Sequence, residues 1–220
     1  MSIKKNLLEI KSSLPENVTL VAVSKTKPVS DLMEAYEAGQ RIFGENKIQE
    51  MAEKFEQMPK DIEWHMIGHV QTNKVKFMAS FVRLVHGVDS LKLLEEINKQ
   101  ALKNNRIIEC LLQIHIAEEE TKFGLNETEL NDLLQSEIFK KLQNIKITGL
   151  MGMATFTENQ EQIKKEFLHL KSIFDNLAPT QKSENCNLKT LSMGMSGDYQ
   201  LAIDCGSTMV RIGSSIFGTR

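Results

Sequence analysis

The sequence predicts an α/β protein built as one closed (β/α)8 barrel. Segments rich in apolar and β-branched residues alternate with segments of helical periodicity, which indicates a parallel sheet. The strands are apolar on both faces, as buried parallel strands are. About eight such units fit the chain length, as a barrel requires. An open doubly wound sheet usually carries Gly-x-Gly-x-x-Gly in its first βα turn, whereas the turn at 24–28 contains no glycine.

Composition narrows the class of protein. The chain has 220 residues, 41% of them hydrophobic and 25% charged, with a net charge of −2. This length can bury a substantial core without disulfides or metals, and no block of basic residues suggests nucleic acid or an anionic membrane. We therefore expect a single soluble domain over 1–220, a monomer, with no nucleic-acid or membrane partner.

The cysteines and the N-terminus indicate a compartment. Cys110, Cys186 and Cys205 are far apart and odd in number, which favours reduced structural thiols. Glu9 and Lys11 interrupt any apolar stretch of signal-peptide length. We expect a cytoplasmic protein.

Eight strands can be placed along the chain after an opening helix that ends near Pro15. The first begins at Val18, and the others are predicted at 41–43, 63–67, 83–86, 110–116, 145–152, 188–192 and 208–212. The predicted helix caps are Ser30, Asp89 or Ser90, Asn126 with Glu129 as a capping box, and Thr157. The polar stretch 176–187 is expected to be a mobile surface loop.

Lys25 stands at the end of the first strand. Strand alternation places Val21, Val23 and Lys25 on one face, so a face of bulky apolar side chains ends in an amine. A lysine partly removed from water loses its proton more easily and can attack an aldehyde or ketone to form a Schiff base. The alternative is an ordinary loop lysine with its ammonium in solvent.

Two clusters of small residues follow the last two strands. The stretch 192–198 and the stretch 213–215 supply hydroxyls and unhindered backbone N–H groups. Barrels commonly bind a phosphate at this position. Each cluster alone could be a simple turn, but their joint placement favours phosphate binding.

Arg211 shares strand parity with Met209 and Gly213, so it should point into the barrel mouth. A charge there needs an acceptor, which could be a phosphate, a ring nitrogen or a carboxylate. A salt bridge to a buried Asp or Glu is the alternative.

The sequence offers no metal motif and no hydrolytic nucleophile. His65 and His69 are four residues apart, but a boundary between strand and loop separates them. No Cys/His pair or Gly-x-Ser-x-Gly elbow is present. We expect no metal site.

Five motifs, together with the order in which they occur, carry a resemblance to a known family. The chain closely resembles the pyridoxal phosphate homeostasis protein family over essentially its whole length, in the segments 21–28, 43–46, 64–74, 191–198 and 206–218. The resemblance implies a barrel like the N-terminal domain of bacterial alanine racemase, with an extra N-terminal helix. It also implies pyridoxal 5′-phosphate (PLP) as the cofactor.

The resemblance assigns roles to individual residues. Lys25 would form the Schiff base, with Ser192, Ser196, Gly213 and Ser214 in the phosphate region.

By analogy with the racemase barrel, Arg211 would face the pyridine nitrogen, although a phosphate contact stays open. Asn46 and His65 would line the cofactor pocket. The resemblance gives no role to Lys27, Lys74 or Lys122.

The family implies a binding protein in vitamin B6 homeostasis that holds PLP and delivers it to apoenzymes, with no substrate turnover. Alanine racemase needs a second acid/base group, a tyrosine from a C-terminal domain of the partner subunit. This sequence ends at Arg220 and contains only Tyr36 and Tyr199, neither an obvious substitute. An arginine at the pyridine nitrogen would also weaken the cofactor as an electron sink. The alternatives are a small PLP-dependent racemase or lyase, and a cofactor-free Schiff-base aldolase.

Overall fold

Eight parallel strands form a closed barrel, as the sequence predicts. The computed structural model describes residues 2–119 and 123–219. In this part of the chain the strands are β1 (Thr19–Val23), β2 (Ile42–Glu45), β3 (Glu63–Met66), β4 (Leu84–Val88), β5 (Ile108–Gln113), β6 (Ile145–Met151), β7 (Lys182–Ser183), β8 (Cys186–Met195) and β9 (Met209–Ile212). All except β7 belong to the ring, which closes where β1 pairs with β9 and β6 pairs with β8.

Helices surround the ring. They are α1 (Ile3–Ser13), α2 (Val29–Glu37), α3 (Ile48–Gln57), α4 (Leu91–Lys103), α5 (Glu127–Gln135), α6 (Glu137–Lys140), α7 (Gln160–Leu177), α8 (Tyr199–Asp204) and α9 (Ser214–Phe217). A 3-10 helix, Thr72–Phe77, follows β3. The expected N-terminal helix is present as α1, which packs against α2 and α9. In the two described ranges, no helix combines the length and apolar character needed to cross a bilayer.

The apolar residues divide into two cores, one on each side of the strands. The barrel interior is filled by Val21, Leu84, Leu111, Met151 and Met209. The larger core lies between strands and helices, and it contains the alternate residues of β1, Leu20 and Ala22. The interior face of β1 is therefore the face that the sequence assigned to Val21.

Two predicted helix caps are confirmed and two are wrong. The Ser90 hydroxyl caps α4, and Asn126 forms the predicted capping box on α5. Ser30 caps nothing, because the Pro28 carbonyl already accepts from Asp31 N–H and the helix begins before Ser30.

The wrong cap on α7 has a similar cause. The Asn159 side chain accepts from the Gln162 N–H and caps α7, while the Thr157 hydroxyl accepts from the Asn159 N–H. Thr157 therefore lies outside the helix, two residues before the cap residue Asn159.

The predicted loop at 176–187 contains regular structure. Helix α7 continues to Leu177, and β7 pairs antiparallel with the first residues of β8. The buried Asn185 amide anchors this hairpin by donating to the Phe139 and Leu142 carbonyls at 2.8 and 3.1 Å. One of the polar residues that indicated a loop, Asn185, therefore attaches this segment to the rest of the protein.

Candidate functional site

A cavity of about 550 Å³ opens at the carboxyl ends of the barrel strands. Its wall includes six of the residues that the sequence singled out: Lys25, Asn46, Ser196, Arg211, Gly213 and Ser214. They come from the loops after β1, β2 and β8, from the end of β9 and from the turn that follows it. Parallel strands place all these segments at one end of the barrel.

Lys25 lies in a tight turn immediately beyond β1. The Ser24 N–H donates to the Gly44 carbonyl at 3.0 Å and so continues the pairing of β1 with β2. The Lys27 N–H then donates back to the Ser24 carbonyl at 3.1 Å and closes the turn. Lys25 is half-buried and lines the cavity, so it is not a lysine extended into bulk solvent.

Lys27 lines the same cavity. Its Nζ donates to the Phe217 carbonyl at 3.0 Å and to the Thr219 carbonyl at 3.3 Å. This lysine therefore ties the first βα turn to the segment after β9, a role that the sequence did not indicate.

The loop after β8 is shaped by Gly194 and Asp198. Gly194 has φ +97°, and a Cβ there would lie 2.6 Å from the Ala202 Cβ, so only glycine fits. The Asp198 carboxylate accepts from the Met195 N–H at 2.5 Å. Burial raises the pKa of Asp198, and the Met195 N–H and the charge of Arg211 oppose this rise.

Ser196 connects the last two strands of the barrel. Its hydroxyl accepts from the Gly213 N–H at 3.2 Å, which brings the loop after β8 against the turn after β9. Ser214 is exposed on the cavity wall beside this contact. The two segments predicted to hold a phosphate thus form one surface.

Arg211 is a buried cation on the cavity wall. It donates from Nη1 to the Ser192 hydroxyl at 2.6 Å and from Nη2 to the Gly152 carbonyl at 3.1 Å. Burial lowers the pKa of Arg211 to about 10, so it stays charged at neutral pH. Within the described ranges no carboxylate forms a salt bridge with it, unlike the alternative raised from the sequence. Three of its five N–H donors remain for a ligand.

Ser192 and His65 are not on the cavity wall. They lie beneath it in a buried hydrogen-bond chain, with His86 Nδ1 3.1 Å from Ser192 Oγ and His86 Nε2 3.0 Å from His65 Nδ1. Burial lowers the pKa of His65 to about 3 and lowers that of His86 well below its usual value. Both rings are therefore neutral at pH 7. The chain supports Arg211 from behind through uncharged partners.

Asn46 is held close to the next loop of the barrel. A Cβ on Gly68 would lie 2.4 Å from the Asn46 carbonyl oxygen, so glycine alone permits this approach. Lys74 is exposed on the 3-10 helix and does not line the cavity. Lys122 lies outside the described residues.

The donor set of the cavity suits a carbonyl compound that carries an anionic group. It combines the Lys25 amine with the Arg211 guanidinium and the small-residue surface around Gly213. In the ranges 2–119 and 123–219, no three His, Cys, Asp or Glu side chains are grouped so that they could hold a metal ion.

Comparison with known proteins agrees with this chemistry. The family model for the alanine racemase N-terminal domain matches residues 1–220. A relative named pyridoxal phosphate homeostasis protein, from Aquifex aeolicus (strain VF5), is 40% identical over 202 residues, which are 91% of this chain and 86% of the relative.

Solved structures show the same fold. PipY of Synechococcus elongatus PCC7942, solved with PLP bound, is 33% identical with a TM-score of 0.87 over 98% of this chain and all of PipY. An alanine racemase from Clostridium difficile 630, solved with cycloserine, has a TM-score of 0.80 at 18% identity. That match covers all of this chain and 60% of the racemase, and it shows likeness of fold.

Proposed function

Because this chain belongs to the pyridoxal phosphate homeostasis protein family, on the alanine racemase N-terminal fold, we propose that it binds PLP covalently through Lys25 and serves vitamin B6 homeostasis. The observation that carries the proposal is the meeting of Lys25 and Arg211 on the wall of one cavity. They lie near opposite ends of the chain. Lys25 follows β1, and Arg211 lies in β9, which pairs with β1.

The roles of the other residues follow from their positions. Ser196, Gly213 and Ser214 would bind the phosphate, because their hydroxyls and backbone N–H groups converge at one side of the cavity. Asn46 would contact the ring from the loop after β2.

Arg211 would donate to the ligand, either at the pyridine nitrogen or at the phosphate. Ser192 and His65 would act indirectly, by holding Arg211.

When bound, PLP supplies an aldehyde that condenses with a primary amine with loss of water, and a phosphate ester that is anionic. The protein contributes the amine, a cation, and a cavity lined by both. These are requirements for holding the cofactor, and they do not by themselves provide proton transfer on a substrate carbon.

We propose that the chain is a carrier and not an enzyme. Among the described residues on the cavity wall there is no tyrosine. Tyr36 Oη donates to Asp61 at 2.9 Å on the outside of the barrel. Tyr199 begins α8 and does not line the cavity. A PLP-dependent racemase or lyase stays the second candidate because racemases share this fold.

The oligomeric state, the location, the domain organisation and the transfer of PLP are part of the same proposal. We propose a monomeric cytoplasmic protein of one domain over 1–220 that passes PLP to apoenzymes. The composition supports the single domain, and the names of the relatives support a role in PLP homeostasis. We propose PLP as the small-molecule partner, because the cavity suits a carbonyl compound with an anionic group and the relatives are named for PLP homeostasis.

The test is to titrate the protein with PLP, reduce it with borohydride and map the modified lysine by mass spectrometry. We expect one phosphopyridoxyl group on Lys25, which Lys25→Ala abolishes. The matched control is Lys74→Ala, an exposed lysine away from the cavity, and it should label like the wild type. Labelling at a different lysine contradicts the proposal. Racemisation or elimination of amino acids that depends on Lys25 would refute the carrier role.

A further inference from the structure

A buried cluster of charged residues lies against the turn that carries Lys25. Lys54 on α3 is 7% exposed at its side chain, and its Nζ lies 2.8 Å from Glu45 Oε1 and 2.7 Å from Glu50 Oε1. Glu45 is completely buried at the end of β2, and Glu50 is partly exposed on α3. The proposed function assigns no role to this cluster.

All three members of the cluster bind the backbone or side chain of residues flanking Lys25. On one side, the Ser24 hydroxyl donates to Glu45 Oε1 at 2.6 Å, and Lys54 Nζ donates to the Ser24 carbonyl at 2.8 Å. On the other side, the Thr26 N–H donates to Glu50 Oε1 at 2.6 Å. The turn is thus held immediately before and immediately after Lys25.

The conformation at Thr26 requires such support. Thr26 has φ +63°, in the left-handed region that a β-branched residue rarely adopts. Such a conformation persists only when the surrounding contacts hold it, and it is most common at functional sites. The Glu50 carboxylate binds the N–H of this same residue, and it adds to the bond from the Lys27 N–H to the Ser24 carbonyl that closes the turn.

Stability alone does not account for the cluster. Glu45 Oε2 is buried and has no hydrogen-bond partner among the described residues. A buried ion pair is often no more stable than apolar residues of similar volume. The feature that distinguishes this cluster is its set of contacts to the residues on both sides of Lys25.

We propose that Lys54, Glu45 and Glu50 are positioning residues that fix the 24–26 turn and so direct the Lys25 amine into the cavity. The inference rests on the proposed function, because it takes Lys25 as the attachment point. It deepens that function by extending the site to a cluster that does not line the cavity.

The test uses Glu50→Ala, which removes the anchor of Thr26 and leaves the buried pair of Glu45 and Lys54 intact. Glu53→Ala is the matched control, because Glu53 is an exposed glutamate on the same helix. Hydrogen exchange at the Thr26 amide in the cofactor-free protein reports the turn directly. We expect faster exchange in Glu50→Ala and wild-type exchange in Glu53→Ala.

Binding of two ligands separates positioning of the amine from formation of the cavity. Pyridoxine 5′-phosphate carries the same ring and phosphate as PLP but has an alcohol in place of the aldehyde, so it cannot attach to an amine. We expect Glu50→Ala to weaken PLP binding about tenfold and to change binding of pyridoxine 5′-phosphate less than about twofold, since a displaced amine affects only the covalent step. Lys54→Met should act in the same direction with a larger loss.

These experiments distinguish failure of the proposed function from failure of the positioning role. If wild-type Lys25 is not labelled by PLP and borohydride, the proposed function fails. If wild-type Lys25 is labelled and Glu50→Ala matches Glu53→Ala in both exchange and PLP affinity, the positioning role fails. Equal weakening of both ligands would also overturn it, because it would mean that the whole cavity had been disturbed.

Discussion

Lys54 and Arg211 are both buried cations, but their surroundings differ in charge. Two carboxylates bind Lys54, whereas Arg211 donates only to a serine hydroxyl and a backbone carbonyl among the described residues. A buried cation that carboxylates already bind has its counter-charge within the protein and leaves little attraction for a ligand. A buried charge bound only by neutral oxygens remains able to attract a ligand. The comparison separates the residue that we propose positions the site from the residue that we propose binds the ligand.

The largest effect is expected when the ion pairs of Lys54 with Glu45 and Glu50 are broken. Lys54→Met leaves Glu45 buried without its cation, so the free energy of unfolding should fall by about 3–5 kcal/mol, as measured by urea denaturation. The double variant Glu45→Leu/Lys54→Met should recover part of this loss, because neither charge remains. A double variant as unstable as the single one would argue against ion pairing as the source of the loss.

Arg211→Met removes the buried cation that forms no direct salt bridge within the described ranges. PLP affinity should fall about 100-fold, because a charged hydrogen-bond donor to the ligand is lost. The free energy of unfolding without ligand should change by only about 1 kcal/mol, since no carboxylate loses a salt-bridge partner and Asp198 keeps its bond from the Met195 N–H. Fluorescence titration and urea denaturation measure the two quantities. If Arg211→Met destabilises the protein as much as Lys54→Met, the contrast between the two cations is wrong.

The buried histidines behind Arg211 should make the free energy of unfolding depend on pH. The pKa of His65 is about 3 in the folded protein against 6.5 ordinarily, so the unfolded state gains a proton first as pH falls. Stability is therefore lost as pH falls from 6.5 towards 3. Between pH 7 and pH 5 this histidine should cost about 2 kcal/mol.

Urea denaturation of the wild type and His65→Gln at both pH values isolates this effect. Glu45 contributes with the opposite sign, because burial raises its pKa and the stability it adds is lost as pH rises. The difference between the two proteins cancels that contribution. Equal pH slopes would show that folding does not lower the pKa of His65.

The smallest effect concerns the strained turn. Thr26→Gly should raise the free energy of unfolding by about 1 kcal/mol, because glycine adopts positive φ without the clash of a Cβ. Thermal denaturation measures the change. The control is Thr180→Gly, because Thr180 is also an exposed threonine but has ordinary φ. A gain at both positions would remove backbone strain as the explanation.

The sequence predicted the features that depend on the alternation of side chains along each strand. The interior face of β1 and the inward position of Arg211 follow from strand parity, so the closed barrel and the cavity wall could be anticipated. The contacts behind the cavity wall could not be anticipated in this way. His86 meets Ser192 across the barrel, and Lys54 meets Glu45 between a helix and a strand. Such pairings depend on how distant segments pack, which periodicity does not encode.

The pairing of β1 with β9 has a consequence for synthesis of the protein. Lys25 emerges from the ribosome early, while Arg211 and Gly213 emerge almost a whole chain later. An incomplete nascent polypeptide therefore carries the proposed attachment lysine without the groups proposed to retain PLP beside it. If the proposed function holds, capture of PLP should begin only after translation has delivered the final strand.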